Sequence, residues 1–164
     1  MGLWRLVEPL IVSHGCHTGI IARGQTMTSQ ELGAIGEAWV YRQLERAGLD
    51  VEFGGPADLL ADGLVVEVKA ARPRGYRSDG RRGYQFCLTK EGHTNHKRAS
   101  VVICLCWWDL AADPVCFVIP SGALGDRRKV VIPTAQPWVY AGRWARWYRR
   151  WETLADLLEM DSDG

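Results

Sequence analysis

The chain has 164 residues, 47% of them apolar, enough to bury one core and too few for two comfortable ones. Twenty Lys and Arg against nineteen Asp and Glu leave a formal net charge of +1, which excludes a polycation that holds nucleic acid by bulk charge alone. Five cysteines without regular spacing argue against a disulfide scaffold and for a reducing, cytoplasmic setting, and no apolar run approaches the roughly 20 residues of a membrane span, so no membrane partner is expected.

Residues 1–26 sustain neither a helical nor a strand period and are expected to form an N-terminal extension outside a single domain at 27–164. The first clear element follows at once. In TSQELGAIGEAWVYRQLERAG, Thr28 stands three residues before Glu31, the spacing of a capping box, and Gly48 offers a left-handed end. Leu32, Ile35, Trp39, Val40 and Ala47 are expected on the buried side, with Glu37 at the edge of that stripe. LDVEF then reads as a short strand before the Gly54-Gly55-Pro56 break.

The next stretch, GGPADLLADGLVVEVKAA, is the most informative. Asp62-Gly63 between apolar runs predicts a two-residue type I′ hairpin, because both central residues of that turn need positive φ. The register that follows pairs Leu59 with Val66 and sets Asp58 opposite Glu67, with Lys69 on the same face as Glu67. Opposed carboxylates in a sheet repel, and a divalent cation between them resolves the conflict. Mg²⁺ is the expected ion, with Mn²⁺ able to substitute. The lysine two residues on can reach a phosphate or a water from the same side.

A helix bearing Glu37, then Pro56-Ala57-Asp58, then Glu67-Val68-Lys69 on a valine-rich strand resembles the PD-(D/E)xK nuclease superfamily, with an alanine standing between the proline and the aspartate. The members it is most similar to are the small archaeal-type Holliday-junction resolvases and the homing or restriction endonucleases of this fold. The resemblance implies an α/β domain with a mixed central β-sheet flanked by helices, a restriction-endonuclease-like core. It implies a metal site of Asp58, Glu67 and the helix carboxylate Glu37, Lys69 as the catalytic lysine, and Gln85 close to the site.

After Lys69 the run AARPRGYRSDGRRGYQFCL reads as a cationic loop, and from Ala70 to Trp108 eight Lys or Arg face only Asp79 and Glu91. Arg72, Arg74, Arg77, Arg81, Arg82, Lys97 and Arg98 are the expected DNA contacts, holding phosphate without reading sequence. Tyr84, Phe86 and Leu88 alternate as a core-facing strand, which leaves Gln85 on the other face. KEGHTNHKRA invites a zinc reading through His93 and His96, but two further ligands at chelating spacing are missing, and a polar loop or short helix is expected instead.

ASVVICLCWW predicts a fully buried strand, and PVCFVIPSGALGDRRKVVIP two more around a short helix at SGAL. From Trp144 onward Trp147, Tyr148, Trp151, Leu154, Ala155 and Leu158 fall on one helical stripe, so a C-terminal Trp- and Arg-rich helix is expected. Its first half would carry Arg143, Arg146, Arg149 and Arg150, where the helix dipole prefers acids.

Together these expectations describe a metal-dependent endodeoxyribonuclease on duplex or branched DNA, of Holliday-junction-resolving or of homing or restriction type. The rivals are a non-catalytic nucleic-acid-binding module of the same fold and a protein-interaction domain. Eight tryptophans and the two-fold character of such substrates add a homodimer to the expectation.

Overall fold

The computed structural model describes residues 27–55, 57–75, 80–90, 93–94 and 98–162. Helix α1, Ser29–Arg46, begins with the reciprocal cap expected of it. The Thr28 hydroxyl accepts from the Glu31 N–H at 3.2 Å, and Glu31 accepts from the Thr28 N–H at 2.7 Å. Its buried line is Leu32, Gly36, Val40 and Leu44, an i, i+4 row, while Ile35 stays exposed and Trp39 half-buried. The stripe is therefore narrower than the apolar residues suggest, because the helix approaches the sheet along its glycine.

Strands β1 (Val51–Phe53), β2 (Leu59–Ala61), β3 (Leu64–Ala71), β8 (Val101–Cys106) and β9 (Val115–Pro120) make a five-stranded mixed sheet in the order β1-β2-β3-β8-β9. The β3–β8 pair is parallel and the others antiparallel. The β2–β3 register is Leu59 with Val66 and Ala61 with Leu64, and the turn between them has Asp62 at φ 46° and Gly63 at φ 90°. Both central residues adopt positive φ, as the type I′ turn requires.

A second sheet joins β10 (Lys129–Ile132), β5 (Arg82–Cys87) and β4 (Arg74–Gly75), in that order. It packs on one face of the main sheet, where Tyr84, Phe86, Val130 and Ile132 meet Val102, Cys104 and Ile119. Helices α1 and α3 (Glu152–Ser162) cover the other face through Leu32, Val40, Leu44 and Leu154 against Val66, Ile103 and Val118. With both faces covered, all six residues of β8 are buried, which is why that strand reads as an unbroken apolar run. The α/β architecture with a mixed central sheet and flanking helices is thus as the sequence implied. A short helix α2, Ser121–Leu124, stands between β9 and β10.

Three local expectations change. The arginine run is not a plain loop: β4 pairs with β5 as the base of a hairpin, Arg74 opposite Gly83 and Gly75 opposite Arg82. The polar run before β8 includes a two-stranded ladder, β6 (Thr89–Lys90) with β7 (His93–Thr94), and Arg98 after it is in a 3-10 turn. The C-terminal helix begins at Glu152, not at Trp144. Before it the chain makes a 3-10 turn at Ala145–Trp147, Tyr148 bridges to Phe117 on the edge strand β9, and Arg149 takes φ 50°.

The physical reason for the last change is that the aromatics serve two cores. Trp144, Trp147 and Tyr148 pack on the second-sheet side, and Trp151 and Leu154 on the helix side, so the segment must turn around the sheet edge between them. A continuous helix would keep all of them on one side. The arginines fall in this crossing segment, and the helix proper opens with Glu152 in its first turn, where an acid suits the dipole.

Gly83 shows how closely the second sheet is built. A Cβ there would stand 2.5 Å from the Ile132 carbonyl oxygen and 3.1 Å from the Pro133 Cα, both backbone atoms. Gly83→Ala is expected to cost about 1–3 kcal/mol, as overpacking does when the neighbour cannot rotate away. Urea unfolding of the variant measures it, and an unchanged midpoint would show that β10 can shift.

Candidate active site

Strand β2 begins only at Leu59, one residue after the position opposite Glu67. Because Ala61 and Leu64 close a two-residue turn, hydrogen-bonded pairs alternate along the ladder, and the Val68 N–H is the next donor left without a strand partner. The Asp58 carboxylate fills that place: Oδ2 accepts from the Val68 N–H at 2.7 Å. Asp58 therefore sits against β3 through its side chain and not as a member of the ladder. Its own carbonyl accepts from the Gly54 N–H at 2.9 Å, which closes the loop that delivers it.

Glu67 is only 4% exposed. It pairs in register with Val102 and Lys69 with Cys104, both residues of the second core, so the two side chains share the face turned toward the second sheet. They form an ion pair, with Lys69 Nζ donating to Glu67 Oε1. A carboxylate this deeply buried requires such a partner, since desolvation of an unpaired charge is severe.

Glu37 comes from α1 next to Gly36, where a Cβ would meet Ala70 Cβ at 3.0 Å and Leu105 Cδ1 at 3.2 Å. The helix crosses closest to β3 at that glycine, and the next side chain shares the field of the acidic group. Burial pushes the Glu37 carboxyl above its ordinary range, the charges of Asp58 and Glu67 push it the same way, and Lys69 pulls it back. A glycine inside a helical pattern usually has a packing reason, and Gly36 is the sequence signal that could have located this crossing.

The remaining expected residues divide. Gln85 is half-buried on β5, on the face opposite Tyr84 and Phe86, and no hydrogen bond among the described residues joins it to Asp58, Glu67 or Lys69. Arg72, Arg74, Arg81 and Arg82 are exposed where β3 ends and the β4–β5 hairpin starts, and Arg82 donates to the Pro73 carbonyl at 2.9 Å. Arg98 precedes β8, and because β3 and β8 run parallel it lies at the opposite end of the sheet from Arg72. It is not part of the same patch. Arg77, Lys97, His96, Pro56 and residues 1–26 lie outside the described residues, and His93 falls on β7.

Among the described residues no three His, Cys, Asp or Glu side chains gather as a ready-made ion cage. The donor chemistry nevertheless fits a hard divalent cation. The contacts described use Oδ2 of Asp58 and Oε1 of Glu67, which leaves Oδ1 and Oε2 as hard oxygen donors, and such ions complete their shells with carbonyls and water.

The raised Glu37 gives a prediction with a definite sign. The folded chain holds this proton more tightly than the unfolded chain does, so stability is greatest below the ordinary carboxylate range and declines as pH rises through the raised value. Glu37→Gln removes that decline. Its Tm at neutral pH without divalent cation is expected at or above that of the wild type, with the difference closing in acid. A variant that melts lower at neutral pH would mean that a favourable contact holds the ionised form.

No protein-family model matches the chain, and no curated protein matches it in sequence. Its fold is shared with a solved structure of a bacterial homing endonuclease, with a TM-score of 0.62 at 12% sequence identity over 85% of this chain and 100% of that one. No helix among the described residues is long and apolar enough to cross a membrane.

Proposed function

We propose that this chain is a metal-dependent DNA endonuclease of the PD-(D/E)xK type, with Asp58, Glu67 and Lys69 as its centre. The observation that carries the reading is the nearly buried Glu67 paired with Lys69 beside an Asp58 carboxylate that takes the place of a strand partner on Val68. A fold held in common with a bacterial homing endonuclease supports it.

Asp58 and Glu67 would hold Mg²⁺, or Mn²⁺ in its place, through the oxygens left over from their protein contacts. When bound, the ion supplies Lewis-acid chemistry: neutralisation of charge at the scissile phosphate and activation of water. The chain's own groups do the rest. Lys69 has three donors and spends one on Glu67, so its ammonium can orient the attacking water or stabilise the developing phosphate charge. Glu37, whose proton is held more tightly than an ordinary carboxyl's, can hydrogen-bond that water from the helix side and accept its proton as pH rises. Arg72, Arg74 and Arg82 bind the phosphate backbone and fix register without reading bases.

Two active centres acting on opposed strands call for two chains or for sequential cuts, and a two-fold homodimer is the reading that fits a symmetric substrate. Light scattering of the free and the DNA-bound chain tests this separately from the chemistry. The deciding experiment is cleavage of a four-way junction, linear duplex, flap and single strand in Mg²⁺, with EDTA as control. Cleavage of any of them that disappears in EDTA is expected. Binding without cleavage in either Mg²⁺ or Mn²⁺ would instead make the chain a nucleic-acid-binding module. Cutting confined to one linear duplex sequence would favour the homing type over the junction-resolving one.

A further inference from the structure

Trp108 and Trp138 form an edge-to-face pair, ring centroids 5.7 Å apart and planes at 73°, and each is 46% exposed. Neither belongs to either core. Large aromatic surface left in water as a pair, contributed by segments thirty residues apart, calls for a use that the core does not supply.

The topology says where the pair sits. The Trp107 N–H donates to the Ala71 carbonyl at 2.9 Å, so Trp108 starts where β3 gives way to Arg72. Trp138 lies in the 3-10 turn Pro137–Val139, and the turn is tied to the start of β5, where the Tyr84 hydroxyl donates to the Ala135 carbonyl at 3.2 Å. That end of the fold also carries the exposed Arg72, Arg74 and Arg82. Lys69 is two residues up β3 from Ala71, roughly 7 Å along the strand.

We propose that Trp108 and Trp138 are a stacking platform for unpaired bases of a DNA strand that the neighbouring arginines hold by its phosphates, which makes branched or otherwise opened DNA the preferred substrate class. The proposal rests on the endonuclease reading above. In an intact duplex the base faces are already stacked and offer an indole nothing, whereas an unstacked base gains a partner whatever its identity. The surrounding charge selects the occupant. A polyanion complements Arg72, Arg74 and Arg82, while a second copy of this chain docked about a two-fold axis would bring the same arginines against each other.

The test uses the full chain as wild type, Trp108→Ala/Trp138→Ala and Trp108→Phe, checked for coincident thermal melts. Binding is measured in EDTA by anisotropy on a four-way junction, a flap and a linear duplex, with 2-aminopurine at the branch. The double variant is expected to bind the junction and flap about tenfold or more weakly, with less than about a twofold change on linear duplex, and Trp108→Phe to recover most of the loss. In the wild type, 2-aminopurine emission at the branch should be quenched. Equal losses on all three DNAs, or none on any, would overturn the platform even if the wild type cuts DNA in Mg²⁺. Tight, tryptophan-dependent binding of branched DNA without cleavage would leave the platform standing and remove the endonuclease reading. A double variant that turns from dimer to monomer in light scattering while its DNA affinities hold would assign the pair to self-association and overturn the proposal.

Discussion

Glu67→Gln is expected to lower Mg²⁺-dependent cleavage by about 10²–10³-fold or more, the scale on which losing one group that stabilises transition-state charge is felt. DNA affinity should stay within a small factor of wild type. The substitution is isosteric, so the buried site keeps its shape, and the charged groups proposed to meet phosphate are the exposed arginines beyond Ala71, not the 4% exposed Glu67. Lys69→Met should abolish cleavage to a similar degree, with a second signature. It leaves Glu67 buried without the cation that it now pairs with, so the variant should be less stable than wild type and regain part of that loss on addition of Mg²⁺. Anisotropy, single-turnover cleavage and thermal melts with and without Mg²⁺ separate these effects. A Glu67→Gln protein that cuts at wild-type rate would remove Glu67 from the chemistry.

Phe117→Ala is expected to cost about 3–5 kcal/mol, a large share of the roughly 5–15 kcal/mol that holds a domain of this size. Phe117 is fully buried on the edge strand, and its ring meets Tyr140 edge-on at 6.0 Å and Tyr148 at 5.8 Å. Removing it opens a cavity and also releases the segment that rounds the sheet edge, where Tyr148 bridges to Phe117 and the Arg149 N–H donates to the Cys116 carbonyl at 2.9 Å. Phe53→Ala is the matched control. Its ring stacks on Tyr41 at 4.6 Å but is 58% exposed, so a loss of no more than about 1 kcal/mol is expected. Urea unfolding at equilibrium compares them, and a Phe117→Ala loss below about 1 kcal/mol would mean that the edge crossing is held by other contacts.

What the sequence could show by itself was local. Thr28 and Glu31 carry their cap within one turn of chain, and Asp62-Gly63 fixes a hairpin register because few residues adopt two successive positive φ values. From that register follows the shared face of Glu67 and Lys69, which depends only on the alternation of a strand. The buried character of Val101–Cys106 was likewise plain from its composition, because a strand covered on both faces has no polar period to hide.

The tertiary structure decided what depends on where the chain leaves an element. β2 does not begin until Leu59, after Asp58 has passed, which turns Asp58 from a cross-strand neighbour of Glu67 into an acceptor for the Val68 N–H. The crossing at Gly36 brings the Glu37 carboxyl into the field of Asp58, Glu67 and Lys69, a coupling between residues some twenty to thirty positions apart. The aromatic run from Trp144 obeys a helical period yet is divided between two cores by the edge of the sheet, and Arg98 is close to Arg72 in charge pattern but at the far end of two parallel strands. Periodicity reports which side of a segment is apolar, since that is set by neighbours three or four residues away. Where a strand ends, which face a helix crosses and which core receives a tryptophan are set by packing between segments distant in the chain, and that information is not local to any window of the sequence.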